Sequence, residues 1–120
     1  MLKKTKLPGH KAPNSLAQMQ RAGTAPLAST FAEGLARHQT GHLVDAERIY
    51  TQILTLQPGH FDSRHLLGVV YLQRGNHAQA LGHLDLALTN SPDNVFALNN
   101  RGVALQELHR LGEEIGRAHV

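Results

Sequence analysis

Apolar residues fall at helical spacing over much of the chain. Leu66, Leu67, Val70 and Tyr71 recur at intervals of three to four, as do Ala80, Leu81, Leu84, Ala87 and Leu88, the stripe an amphipathic helix needs to cover one side of a core. Between these two runs lies Gly75, where a left-handed residue ends the first helix, and Asn76 stands in the N-cap position of the second. The same grammar recurs every 34 residues: Gly34, Gly68 and Gly102; Gly41 and Gly75; Ala46 and Ala80; Pro58 and Pro92. Each unit therefore reads as helix, tight turn, helix, with proline closing the second helix because its ring and missing N–H forbid continuation. Small residues at Gly34 and Ala46, and at Gly68 and Ala80, are expected to face each other and let the two helices of a hairpin approach closely.

The period and its columns resemble the tetratricopeptide repeat family. Leu67, Gly68, Tyr71, Gly75, Ala80, Leu84, Ala87 and Pro92 stand at that family's signature positions in residues 61–94. Residues 27–60 keep Gly34, Gly41, Ala46, Tyr50 and Pro58 but have Thr30, Glu33 and Arg37 where large apolar residues are usual, an atypical first helix. Residues 95–114 form a partial third unit with Leu98, Gly102, Leu105 and Leu108, and with Glu114 where alanine is expected. The resemblance implies an all-α fold of tandem helix–turn–helix repeats, a short right-handed superhelical solenoid. It also implies a groove lined by the first helices, here Phe31, Leu35, His38 and Gln39; Asp62, His65, Val69, Leu72 and Gln73; Phe96, Asn99, Asn100, Val103 and Gln106. Asn100, with a donor and an acceptor, suits the backbone of an extended peptide. A groove without lysine does not suit the clamp that grips a terminal carboxylate.

Composition agrees with helices: Leu (19) and Ala (14) dominate, while aromatics make up 4% and cysteine is absent, which removes disulfides, thiolate catalysis and cysteine zinc sites. The charge is uneven. Residues 1–26 carry Lys3, Lys4, Lys6, Lys11 and Arg21 with no acid, together with Pro8, Pro13 and Pro26. That segment reads as a disordered basic tail, dispensable for folding, with a short helix possible over 15–21. It lacks the apolar run of a signal or membrane span.

The last residues, Ile115 to Val120, back-translate as ATC GGA AGA GCA CAC GTC, the start of a widely used sequencing-library adapter, and GAG for Glu114 completes the match. Residues 115–120 are therefore read as an adapter-derived artefact and the chain as a truncated bacterial fragment. A first helix left without its partner is expected to fray after about Leu111 and to favour self-association.

Nine histidines raise the question of metal binding. His38 and His42 are separated by the turn at Gly41, and His77 and His83 lie on nearly opposite helix faces, so no metal site and no cofactor are expected. Phosphate-cradling and nucleophile-elbow motifs are missing, and no aromatic residues interleave with the basic ones, so neither catalysis nor nucleic-acid binding is expected. The expected function is a cytoplasmic scaffold that binds a protein or peptide in its groove. The alternative is the N-terminal repeat array of a larger bacterial enzyme resembling the O-linked N-acetylglucosamine transferases.

Overall fold

The computed structural model describes residues 24–118, with side-chain environments described for 27–116. The tail over 1–23 and its short helix lie outside the described residues. Five helices follow in order: α1 (Thr24–Gln39), α2 (Leu43–Leu56), α3 (Phe61–Gln73), α4 (His77–Asn90) and α5 (Val95–Ala118). No strand occurs among the described residues. Consecutive helices pack on one another, and α3 also touches α5. The architecture is the expected all-α array of helical hairpins.

The turns within the hairpins are built alike. Gly41 and Gly75 have φ of 83° and 80°, a conformation that a β-carbon disfavours. At the second turn the Gly75 N–H donates to the Leu72 carbonyl at 3.0 Å and the Asn76 N–H to the Tyr71 carbonyl at 2.8 Å, the paired bonds of a Schellman ending. Gly41 and His42 repeat this on His38 and Arg37. Asn76 does occupy the N-cap position of α4, yet its side chain makes no capping bond. The side-chain caps are elsewhere: His60 Nδ1 accepts from the Ser63 N–H at 3.2 Å, and Asn94 Oδ1 from the Ala97 N–H at 2.9 Å. Pro58 and Pro92 fall just beyond the ends of α2 and α4, as expected.

Two boundaries differ from the sequence reading. The first helix begins at Thr24, three residues inside the expected tail; Pro26 falls in the first turn, whose N–H groups have no partner within the helix in any case. The atypical first helix is nonetheless continuous, with Thr30 buried. At the other end α5 runs unbroken through Leu111 and Glu114 to Ala118. The 34-residue register would place a turn at position 109, but His109 stands there instead of glycine, so nothing favours the left-handed residue that ends α1 and α3.

The close approach of the hairpin helices also has a different partner from the one expected. A β-carbon added at Gly68 would lie 2.9 Å from Leu84 Cγ and 3.4 Å from the Ala80 carbonyl oxygen; one at Gly34 would lie 2.9 Å from Ile49 Cγ2 and 3.0 Å from Tyr50 Cε1. The glycines thus make room first for Leu84 and Tyr50, large side chains themselves 34 apart, while Gly68 also approaches the Ala80 backbone as expected. Around Tyr50 the core gathers Ala46, Leu54, Leu67 and Val70, with Leu27, Ile49 and Ile53 beside them. From the second hairpin Ala80, Leu84 and Ala87 are fully buried, and from α5 Ala97 and Ala104. Among the described residues nothing lies within 4 Å of a β-carbon added at Gly102. Among the described residues no second helix lies against it.

Candidate peptide-binding face

The first helices of successive units are joined by two polar contacts, one at the C-terminal ends of α1 and α3 and one in the first halves of α3 and α5. His38 Nε2 and Gln73 Oε1 lie 2.6 Å apart between α1 and α3; Asn100 Nδ2 and His65 Nε2 lie 2.9 Å apart between α3 and α5. Both pairs are separated by 35 residues, one full repeat plus one position. In the first pair His38 Nε2–H donates to the Gln73 amide oxygen, which leaves Nδ1 to accept from the Tyr50 hydroxyl at 3.1 Å. In the second, Asn100 donates to an imidazole nitrogen that must be unprotonated. Burial lowers the His65 pKa below its ordinary value, against the opposing pull of Asp62. The neutral form therefore suits the bond. Burial likewise pushes the Tyr50 phenol up to about 12, so its hydroxyl stays a donor.

The expected groove residues separate into three environments. Phe31 is half-buried, its ring 6.0 Å from that of Tyr50 and 5.4 Å from that of His60, so it supports the core as much as it lines a surface. Leu35, Val69 and Leu72 are half-buried, while Asp62, Asn99 and Gln106 are exposed. Phe96 and Val103 stand out, at 73% and 40% exposed. His38, Gln73, His65 and Asn100 are engaged with one another, a role that sequence reasoning missed although the shared separation of 35 could have signalled it. The described helices contribute no lysine to this face.

A second polar cluster ties α2, α3 and α4 together. The Tyr71 hydroxyl donates to Glu47 Oε2 at 2.7 Å, Arg74 pairs with Glu47, and the Tyr71 ring stacks on His83 with centroids 5.2 Å apart. Arg64 reaches His83 Nδ1 at 3.3 Å. The bond to Glu47, and secondarily burial, raises the Tyr71 pKa; burial first and Arg64 second lower that of His83. No fixed spacing announces this cluster, because its members come from different columns of the repeat. Among the described residues no group of three or more histidines and carboxylates could hold a metal ion, and no helix is long and apolar enough to cross a membrane. His42 Nδ1 lies 2.8 Å from the Thr40 hydroxyl.

Repeated hairpins with glycine turns, a 34-residue register and bonds linking first helix to first helix define a class, and the chain belongs to it: the tetratricopeptide repeat family, whose profile matches residues 37–101. Proteins built this way are scaffolds for protein interaction. The chain is similar to the photosystem I assembly protein Ycf3 of Acaryochloris marina (strain MBIC 11017), with 32% identity over 91 residues, 73% of this chain and 53% of that protein. The chain thus spans about half the length of the curated relative it matches.

Proposed function

We propose that the face made by α1, α3 and α5 binds an extended or helical segment of a partner protein. The observation that carries this reading is the pair of bonds His38–Gln73 and His65–Asn100. They hold the three first helices in fixed register, so the apolar side chains between them form one preorganised strip rather than three independent ones. Val69 and Leu72 supply the floor of the strip, and the exposed Phe96 and Val103 its edge. Phe96 is the anchor: a large aromatic side chain in water gains most when a partner covers it. The similarity to a protein named for assembling photosystem I supports a role in holding other proteins together, without identifying them. Catalysis is not part of this reading. The alternative, a repeat array leading into a larger enzyme, rests on sequence resemblance and has no structural observation behind it.

The test is a peptide-library pull-down with the full chain and with Phe96→Asp and Val103→Asp variants. Both side chains are exposed, so the substitutions should leave helicity unchanged while removing ligands. Ligands retained equally by the three proteins would place binding elsewhere and refute the reading.

A further inference from the structure

The two contacts that join the first helices respond differently to a proton. Between α1 and α3, His38 Nε2–H donates to the Gln73 amide oxygen and Nδ1 meets the Tyr50 hydroxyl. A proton added at Nδ1 leaves the bond to Gln73 as it is, and the hydroxyl, which both donates and accepts, turns to receive the new N–H. Between α3 and α5 the imidazole is the acceptor. Asn100 Nδ2 donates to His65 Nε2 at 2.9 Å, so a proton reaches that nitrogen only if the amide gives up its place. Both side chains are half-buried, where an N–H without an acceptor is costly. The amide has a second arrangement of almost the same shape: a half-turn about Cβ–Cγ puts Oδ1 where Nδ2 stood.

We infer that protonation of His65 turns the Asn100 amide over and thereby changes what the peptide-binding face offers its partner, an inference that rests on the proposed function for that partner. With His65 neutral, Asn100 gives one N–H to the imidazole and presents its carbonyl oxygen and its other N–H. With His65 charged, the oxygen accepts from the imidazolium in a charge-assisted bond and both N–H groups are presented. The face therefore takes a backbone N–H of the partner segment at neutral pH and loses that ability in acid, where it favours carbonyl acceptors. Asp62, on the same helix, is the one charge that acts on His65 among the described residues, and it favours the proton; burial opposes it and is the larger effect, so the turn comes below the ordinary histidine value. The Phe61 ring lies 5.6 Å from that of His65, and α5 meets the imidazole with the uncharged Asn100. On the other sides of α3, Glu47 of α2 bonds Tyr71 and His83 of α4 faces Arg64, while His38 of α1 meets the far end of the helix at Gln73.

The turn is read by nuclear magnetic resonance of the full chain, labelled with nitrogen-15, from about pH 7.5 to about pH 5, on either side of an ordinary histidine titration. At the upper end Nε2 should carry no proton and the Asn100 amide protons should show Overhauser contacts to the His65 ring. At the lower end those contacts should vanish and an Nε2–H protected from water should appear, while the Gln73 amide stays unchanged. Amide contacts that persist through the titration, or an Nε2–H that exchanges freely with water, overturn the inference. The consequence for partners is read with a peptide from the pull-down whose capture Phe96→Asp abolishes. Methylating its backbone nitrogens one at a time should reveal a position that costs about tenfold in affinity at neutral pH and little in acid. His65→Gln, which offers Asn100 an acceptor oxygen that does not titrate, should keep that cost at both. An equal cost at both pH values in the wild-type chain overturns the inference and leaves peptide binding standing. An amide that turns as expected on a face that captures no peptide refutes the proposed function instead.

Discussion

Gly68 and Gly102 occupy the same column of the repeat, and the structure gives them opposite sensitivities to an added methyl group. At Gly68 the new β-carbon would stand 2.9 Å from Leu84 Cγ and 3.0 Å from its Cδ2, and Leu84 is fully buried. Relief requires a shift of several tenths of an ångström in a side chain with no free space around it, an overpacking cost of about 1–3 kcal/mol. Alanine in a helix returns about 1 kcal/mol relative to glycine, so Gly68→Ala should be destabilising by about 0–2 kcal/mol. Gly102→Ala meets nothing and keeps only the gain, about 1 kcal/mol of stabilisation. The two variants should therefore differ by about 1–3 kcal/mol, and Gly68→Leu, which drives three further carbons into the Leu84 contact, should lose more than about 3 kcal/mol. Thermal melts followed by far-ultraviolet circular dichroism resolve such differences, since 1 kcal/mol moves the midpoint by about 4–8 °C in a domain of this size. Equal shifts for the two alanine variants, or a Gly68→Leu protein that melts like wild type, would refute the hairpin packing.

Other predictions address polar groups and the open end. Ser63 is fully buried and its hydroxyl has no hydrogen-bond partner among the described residues, so Ser63→Ala should raise stability by about 1 kcal/mol in urea unfolding. Tyr71→Phe removes the bond to Glu47 and should cost about 1 kcal/mol by the same measurement. The pKa values of His65 and His83 are lowered by folding, so the unfolded chain takes up protons more readily. The stability they protect is complete above the unfolded value of about 6.5 and is lost as the pH falls through it toward the lowered folded values. The urea midpoint should drop on acidification, and less so in His65→Gln. His109→Gly followed by a helix patterned on α4 should turn the chain as Gly75 does and cover Leu98 and Leu105, raising stability by about 2 kcal/mol in urea unfolding.

The sequence made some of this fold plain and left the rest hidden, for identifiable reasons. Columns of glycine and proline repeat because backbone conformation forces them. Thus the turns at Gly41 and Gly75, the ends of α2 and α4 and the hairpin order were all legible. The interhelix partner of Gly68 was not, since a glycine column reports that something comes close without saying what. Leu84 and Tyr50 differ in type, so they read as ordinary core positions rather than as the pair that occupies the space. The start of α1 was misplaced because the apolar stripe begins at Leu27 while the backbone is already helical from Thr24. The full length of α5 was missed because Glu114 and the residues after it lack the repeat's apolar pattern, although without a glycine at position 109 nothing turns the chain.

The candidate site shows a subtler limit. The sequence marks His65 and Asn100 as polar residues of an expected binding face, and in the structure each is bonded to the other. A bond with its donor on Asn100 and its acceptor on an unprotonated imidazole fixes the amide, so the Asn100 carbonyl oxygen is held in a defined direction. A partner segment that offers an N–H to the oxygen gains from that preorganisation. One that offers an acceptor can take the second N–H of the same amide, which the bond to His65 leaves free. In the proposed reading Asn100 thus presents one acceptor and one donor in fixed directions, and protonation of His65 undoes the arrangement, because the imidazolium no longer accepts.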